Sequence, residues 1–235
     1  IMGLKAKKSQ PPTVSEARRE RERVELTERI MDAAREMFVR DGYEAVTLRK
    51  IALSIEYSPA AIYQYFKDKQ ALVRAIIRRD SDDLRAHLRA GLNRETPVEQ
   101  LVEMARLYAE WGIAHPNHYR LMLVPPPAWM EQDRELNRSD PTPLEQEILT
   151  MLWTVVKGAI ERGELKEKYA DPALVAATLW AGLNGVVLLE ICVSPKERAR
   201  LGGTDTLFEA RFATLVSVFL DGFVREGARG GTAAG

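Results

Sequence analysis

The chain has 235 residues, with 34 basic and 34 acidic side chains and a hydrophobic fraction of 46%. This composition is typical of a soluble globular protein of one or two domains, and it excludes a disordered or fibrous chain. The single cysteine, Cys192, excludes an intramolecular disulfide framework and an all-cysteine metal site. No apolar segment typical of a secretory signal follows the basic start, so we expect a cytoplasmic protein.

The zero net charge conceals two oppositely charged parts of the chain. Residues 1–79 contain 17 Lys and Arg against 11 Asp and Glu, whereas residues 80–235 contain 17 against 23. A basic first third joined to an acidic remainder indicates a polyanionic partner for the first part alone.

Helical periodicity recurs along the chain, and no segment shows the sustained alternation of a strand. Capping residues support this pattern. Ser58-Pro59 places serine at the cap and proline in the first turn, and Thr96-Pro97-Val98-Glu99 is a capping box. The sequence therefore predicts an all-α protein of about nine helices. They cover about residues 24–41, 48–54, 58–65, 68–90, 97–114, 115–124, 144–162, 172–192 and 205–226.

The remaining segments are predicted to be irregular. Residues 1–23 carry two prolines and scattered Lys and Arg, which is typical of a flexible basic tail. Pro125-Pro126-Pro127 predicts a long loop over residues 125–143, and residues 228–235 form a glycine-rich tail.

Arginines and glutamates alternate just before the first predicted helix. Two interpretations are open: a solvated helical extension, or an arm that touches DNA phosphates or the minor groove. The residues concerned are Arg18, Arg19, Arg21 and Arg23, with Glu16, Glu20, Glu22 and Glu25.

The second and third predicted helices are short and are joined by about four residues, which is the arrangement of a helix-turn-helix. The second helix must pack across the third, so Ile51 and Ala52 are expected to face inward with Ile62. The third helix must enter a groove about 12 Å wide, so its outer face needs small or hydrogen-bonding residues. Candidates to read bases are Ser58, Ala60, Ala61 and Gln64, and candidates to reach phosphates are Tyr63, Tyr65 and Lys67.

The segment Thr47–Ala52, followed by Ser58 and by Ile62–Leu72, resembles the DNA-binding signature of the TetR-type transcriptional regulators. The match covers about Leu26 to Leu72. The resemblance implies an all-helical homodimer with two helix-turn-helix heads and a ligand-binding regulatory domain. By position it also assigns Thr47 and Lys69, with the two tyrosines, to phosphate contacts. The full candidate DNA-binding set is Thr47, Arg49, Ser58, Ala60, Ala61, Tyr63, Gln64, Tyr65, Lys67 and Lys69.

The turn of this motif departs from the family pattern at one position. Glu56 stands where glycine is usual. A non-glycine residue with positive φ is strained by roughly 1 kcal/mol. We therefore expect a slightly different turn, and a charge that disfavours close approach of a phosphate.

The second half of the chain carries a further resemblance. Trp180–Glu190 resembles the Trp…His-Gly…Leu-Glu pattern of one TetR C-terminal subgroup, with Asn184 where histidine is usual, and His115–Met122 resembles another segment of it. Large flat side chains in a helical bundle suit an apolar ligand, although each could also fill a core. The candidate effector-binding residues are Trp111, His115, Tyr119, Met122, Trp129, Trp153, Trp180 and Asn184.

These observations predict a ligand-responsive transcriptional repressor that binds a palindromic DNA operator as a homodimer and is released by a small, largely apolar effector. The helices at 172–192 and 205–226 are expected to pair with their symmetry mates, because both are apolar over more than one face. For the first of them, a buried packing helix is favoured over a membrane span. The predicted parts are a tail at 1–23, a DNA-binding domain at 24–67, a ligand-binding and dimerisation domain at 68–227, and a tail at 228–235.

Other functions have less support in the sequence. A repressor whose C-terminal bundle only dimerises is one alternative, and a small-molecule carrier with a vestigial head is another. His115 and His118 stand three residues apart, but no third metal ligand is evident. Motifs for nucleophilic, metal-dependent or nucleotide-dependent catalysis are missing, so no catalytic residue, cofactor, metal or membrane partner is predicted.

Overall fold

The computed structural model describes residues 13–123, 127, 130–131, 143–200 and 207–228. These residues form ten α-helices and two short 3₁₀-helices, with no strand among them, so the all-α prediction is confirmed. The α-helices are α1 (Val14–Asp41), α2 (Leu48–Ser54), α3 (Pro59–Tyr63), α4 (Lys69–Leu88), α5 (Pro97–Ala114), α6 (Pro116–Leu123), α7 (Pro143–Glu161), α8 (Pro172–Cys192), α9 (Pro195–Arg200) and α10 (Leu207–Phe223). The 3₁₀-helices are Arg89–Asn93 and Glu226–Ala228.

Helix α1 begins at Val14, so the prediction of a flexible tail was wrong for residues 14–23. Thr13 caps this helix in a capping box: its hydroxyl accepts from the backbone N–H of Glu16, and the Glu16 carboxylate accepts from the backbone N–H of Thr13. The alternating charges then support the helix, since Arg18 and Glu22 form an i,i+4 ion pair at 2.7 Å.

The sequence analysis also did not predict helix α9, because Pro195 and the glycines that follow it are typical of a loop. Ser194 caps it by accepting a hydrogen bond from the backbone N–H of Glu197 at 3.3 Å. Most of the loop predicted over residues 125–143, and Trp129 within it, lie outside the described residues.

The chain divides into two compact units, with the boundary between Ala75 and Ile76 inside α4. The first unit has a small core built from α1, α2, α3 and the start of α4. Ile51, Ala52 and Ile62 are fully buried there, as predicted from the packing of the second helix across the third. Burial of an isoleucine side chain contributes about 1.5–3 kcal/mol, so Ile51 and Ile62 hold α3 against α2.

The second unit contains two hydrophobic clusters. One gathers Leu84 of α4, Tyr108 of α5 and Val187 of α8. The other joins α5, α7, α8 and α10 around Val156 and Phe219. Gly112 allows close packing in the first cluster, because a Cβ there would lie 2.7 Å from the Tyr119 ring. These clusters define the walls of the cavities described below.

Helix α8 is the one helix of the described ranges that is long and apolar enough to cross a membrane. It is only partly buried within one subunit. Leu174 on α8 and Val218 on α10 are 66% and 59% exposed, and the other exposed residues of α8 are mostly small, such as Ala177 and Ala181. The two helices therefore present apolar side chains that the described residues do not cover.

Candidate nucleic-acid interface and effector cavity

Two hydroxyl side chains fix the starts of the short helices in the first unit. The Thr47 hydroxyl accepts a hydrogen bond from the backbone N–H of Lys50 at 3.2 Å, and the Ser58 hydroxyl accepts from that of Ala61 at 3.2 Å. Both side chains are exposed. A capping hydroxyl accepts its hydrogen bond through an oxygen lone pair. The O–H groups of Thr47 and Ser58 therefore remain able to donate to a phosphate or a base.

Helix α3 has two different sides. Ile62 is fully buried against α2, whereas Ser58, Ala60, Tyr63 and Gln64 are exposed. Tyr63 is 57% exposed. The exposed side therefore consists of small or hydrogen-bonding residues, which is what a helix needs to lie in the major groove. The structure thus brings most of the candidate base-reading residues to one face, while Ala61 is half-buried.

The turn between α2 and α3 has the strained geometry expected from its sequence. Glu56 has φ of 62°, and it is the one non-glycine residue with positive φ among those that the structure describes. The backbone N–H of Tyr57 donates to the carbonyl of Ala52 at 2.9 Å and closes the turn. The strain costs roughly 1–2 kcal/mol, and the exposed carboxylate adds a negative charge beside the motif.

The candidate phosphate-binding cations differ in exposure and in the contacts that they make within the protein. Arg49 and Lys67 are exposed. The ammonium group of Lys69 donates to the backbone carbonyl of Tyr43 at 2.7 Å and stands 3.8 Å from the centroid of the Tyr43 ring. Partial burial lowers the pKa of Lys69. Lys69 therefore ties the start of α4 to the segment between α1 and α2, a positioning contact that the sequence does not predict.

An apolar cavity of about 80 Å³ lies in the second unit, between α5, α7, α8 and α10. A smaller cavity shares Tyr108, Ile148 and Trp180 with it and extends to Ser81 of α4. Within the described ranges, no charged side chain lines either cavity. Residues that line the larger one include Leu101, Ala105, Tyr108, Leu179, Trp180 and Phe219.

A buried hydrogen-bond network stands beside these cavities. The Asn184 side-chain carbonyl accepts hydrogen bonds from the Tyr108 hydroxyl at 2.8 Å and from the Tyr119 hydroxyl at 2.6 Å. Its amide donates to the backbone carbonyl of Trp180 at 2.8 Å. Burial raises the pKa of Tyr119, so this hydroxyl stays a donor. Asn184 of α8 is thus hydrogen-bonded to side chains of α5 and α6. These hydrogen bonds satisfy polar atoms that would otherwise be buried without a partner.

The other predicted effector-binding residues are dispersed. Trp180 lines both cavities and Met122 the smaller one. Trp111 is buried with its indole N–H donating to Asp83 at 2.7 Å, and it packs against His115 in a separate aromatic cluster. Trp153 is 37% exposed and carries Lys157 over its ring, so it lies away from the cavity.

The sequence analysis did not identify most of the residues that line the larger cavity. Leu101, Leu179 and Phe219 are ordinary core residues in a helical pattern, and only their arrangement leaves a void. The histidine pair gains no third ligand, because the described residues contain no group of three potential metal ligands. The His118 imidazole lies 3.1 Å from the Asp80 carboxylate instead.

Two family models match the chain. One, described as bacterial regulatory proteins of the tetR family, matches residues 30–76, and the other, described as a tetracyclin repressor-like C-terminal domain, matches residues 101–216. The first match covers the helix-turn-helix, and the second covers most of the cavity wall.

The chain is also similar to known proteins. It is 35% identical over 75 residues to the HTH-type transcriptional regulator UidR of Escherichia coli strain K12, covering 32% of this chain and 38% of that protein. It is 39% identical over 57 residues to the HTH-type transcriptional repressor Rv1474c of Mycobacterium tuberculosis, covering 24% and 30%. The aligned stretches thus span between 30% and 38% of these relatives' own length.

Solved structures extend the similarity over most of the chain. The fatty acid degradation regulator FadR from Bacillus halodurans superposes with a TM-score of 0.65 and 16% identity, covering 83% of this chain and 94% of that one. At this identity the similarity concerns the fold.

Proposed function

The chain belongs to the tetR family of bacterial regulatory proteins, and from this premise we propose that it is a cytoplasmic, ligand-responsive repressor that binds a palindromic operator as a homodimer. The observation that carries the proposal is the exposed polar face of α3, held outward by the buried Ile62. We further propose residues 24–67 as the DNA-binding head and residues 68–227 as the regulatory part.

Selection of duplexes from a random-sequence library tests DNA recognition by the full chain. We expect enrichment of a palindrome whose half-sites are centred about 34 Å apart, one turn of the duplex, because each subunit presents one recognition helix. A gel shift with the selected duplex and with a scrambled duplex of the same composition measures specificity. Enrichment of no sequence would contradict the proposal and favour a carrier with a vestigial head.

The exposed apolar surface of α8 and α10 supports the homodimer. Pairing with a symmetry mate would bury Leu174 and Val218 in a four-helix contact, and the small residues of α8 would permit close approach. Sedimentation equilibrium of Leu174→Glu and Val218→Glu tests this contact. We expect a shift to monomer with both variants, whereas Leu53→Glu, an exposed leucine of α2, should leave the mass unchanged. A monomeric wild type would contradict it.

The cavity supports a small, neutral and apolar effector, since it offers no charge to pair with an anion. Helix α4 runs from the first unit into the second, where Leu88 lines the cavity. A ligand that favours one position of α4 would therefore change operator affinity by its differential binding to the two states.

A panel of small neutral compounds, beginning with 1-hexanol, tests the effector in a DNA-release assay. We expect 1-hexanol to lower operator affinity more than hexanoate, which has the same chain with a charged end. Ala105→Leu, which adds methyl groups at the cavity wall, should abolish the response while DNA binding persists, and Ala86→Leu on an exposed position of α4 is the matched control. If no compound acts, a repressor whose bundle only dimerises is the better assignment.

A further inference from the structure

The N-terminal part of α1 carries two chemically different faces. Arg19, Glu22, Arg23 and Leu26 follow the i, i+3, i+4, i+7 spacing of one helix face. Arg21 lies on another face, where it lines a separate surface groove with Glu16, Glu20 and other α1 residues. Arginines one or two positions apart therefore have different surroundings.

The first face meets the DNA-recognition elements. Together with Tyr57, Gln64 and Tyr65 it lines an open groove of about 490 Å³, all within the first unit. The Arg29 guanidinium lies 5.4 Å from the centroid of the Tyr57 ring and holds α1 against the turn. The extension is thus placed beside Gln64 and Tyr65, two of the candidate DNA-binding residues.

The α1 wall of the groove carries positive charge, and both walls carry hydrogen-bond donors. Its one carboxylate, Glu22, pairs with Arg18 at 2.7 Å. The nearest carboxylate to Arg23 is that of Glu20, at 3.8 Å and exposed to solvent, and Arg19 forms no ion pair with the described residues. Opposite them, Gln64 and Tyr65 supply an amide and a hydroxyl. This donor set matches a phosphodiester backbone better than an apolar or cationic partner.

We propose that the α1 extension is a second DNA-contacting element, in which Arg19 and Arg23 bind the duplex backbone in the groove that they share with Gln64 and Tyr65. The proposal rests on the DNA binding proposed above. It assigns the helical extension a function, and it resolves the two sequence interpretations in favour of a rigid helical arm.

The salt dependence of binding to the selected duplex tests the proposal. Each lost phosphate contact lowers the slope of log K against log salt by about 0.9, or about 1.8 for the two copies in a dimer. We expect Arg19→Gln and Arg23→Gln each to lower the slope by about that amount and affinity by about tenfold, with sequence preference unchanged. Arg21→Gln removes the same charge from the other face and should leave the slope as in the wild type.

Two further measurements separate the outcomes. Arg19→Lys should recover most of the slope, since it restores the charge, and circular dichroism checks that every variant keeps its helix content. Unchanged slopes in Arg19→Gln and Arg23→Gln, or an equal loss in Arg21→Gln, would overturn the proposal while DNA binding itself stands. A wild type that binds no duplex would overturn the proposed function instead.

Discussion

The two units of the chain keep their candidate functional residues in opposite places. In the first unit, Ser58, Tyr63 and Gln64 stand on the outside of a small buried core. In the second unit, Tyr108 and Trp180 line an apolar cavity between helices. A surface that meets DNA can be changed with little effect on folding, whereas a cavity wall contributes to both folding and ligand binding. The comparison therefore predicts that substitutions on the surface of the first unit can change DNA binding without changing stability. Substitutions in the cavity wall of the second unit should change both stability and ligand binding.

The largest effect is expected where the first unit depends on its core. Ile51→Ala removes a fully buried side chain, so the free energy of unfolding should fall by about 2–5 kcal/mol and DNA binding should be lost with the fold. Urea unfolding followed by circular dichroism measures the change. Arg49→Ala, at an exposed position of the same helix, should stay within about 0.5 kcal/mol of the wild type.

Asn184→Ala tests whether folding depends on the buried hydrogen-bond network beside the cavity. The substitution deprives the hydroxyls of Tyr108 and Tyr119 of their shared acceptor, which should cost about 1–3 kcal/mol in the free energy of unfolding. Adding Tyr119→Phe to this variant removes one of those hydroxyls and should recover part of the loss. An unaltered denaturation midpoint in Asn184→Ala would show that the network is dispensable.

Tyr63→Ala should weaken DNA binding without lowering the stability of the protein. Its side chain is 57% exposed, so the midpoint of unfolding should hardly move. Loss of a neutral hydroxyl contact to a phosphate should weaken binding to the selected duplex by about tenfold, evenly across sequences, and leave the salt slope unchanged because no charge is removed. Quantitative gel shifts at several salt concentrations measure both. Equal binding by variant and wild type would remove Tyr63 from the interface.

The smallest effect concerns the turn. Glu56→Gly relieves roughly 1–2 kcal/mol of left-handed strain, while glycine costs about 0.5–1 kcal/mol in chain entropy. We expect a net stabilisation of between about 0 and 1.5 kcal/mol in urea unfolding, and tighter DNA binding because a negative charge is removed. Glu44→Gly, an exposed glutamate without positive φ, should be destabilising. A loss of stability in Glu56→Gly would show that the side chain has an unseen role.

Prediction from sequence succeeded where a local rule decides the structure. Ser58 and Thr47 are caps because a hydroxyl can satisfy a free backbone N–H, and the positive φ of Glu56 was expected because the family resemblance places glycine at this position of the turn. The flexible-tail prediction failed for residues 14–23, where the alternating charges had also left a helical extension open. There the capping box at Thr13 and the ion pair of Arg18 with Glu22 sustain a helix.

The sequence by itself determined the helical class, the helix-turn-helix and the inward side of its helices, because periodicity and capping act over a few neighbouring residues. Only the tertiary structure decided that Lys69 binds the Tyr43 carbonyl, that Arg19 and Arg23 face Tyr65, and that Trp153 lies outside the cavity. These contacts join residues that are distant in sequence. Their geometry depends on how whole helices pack, which no local pattern records.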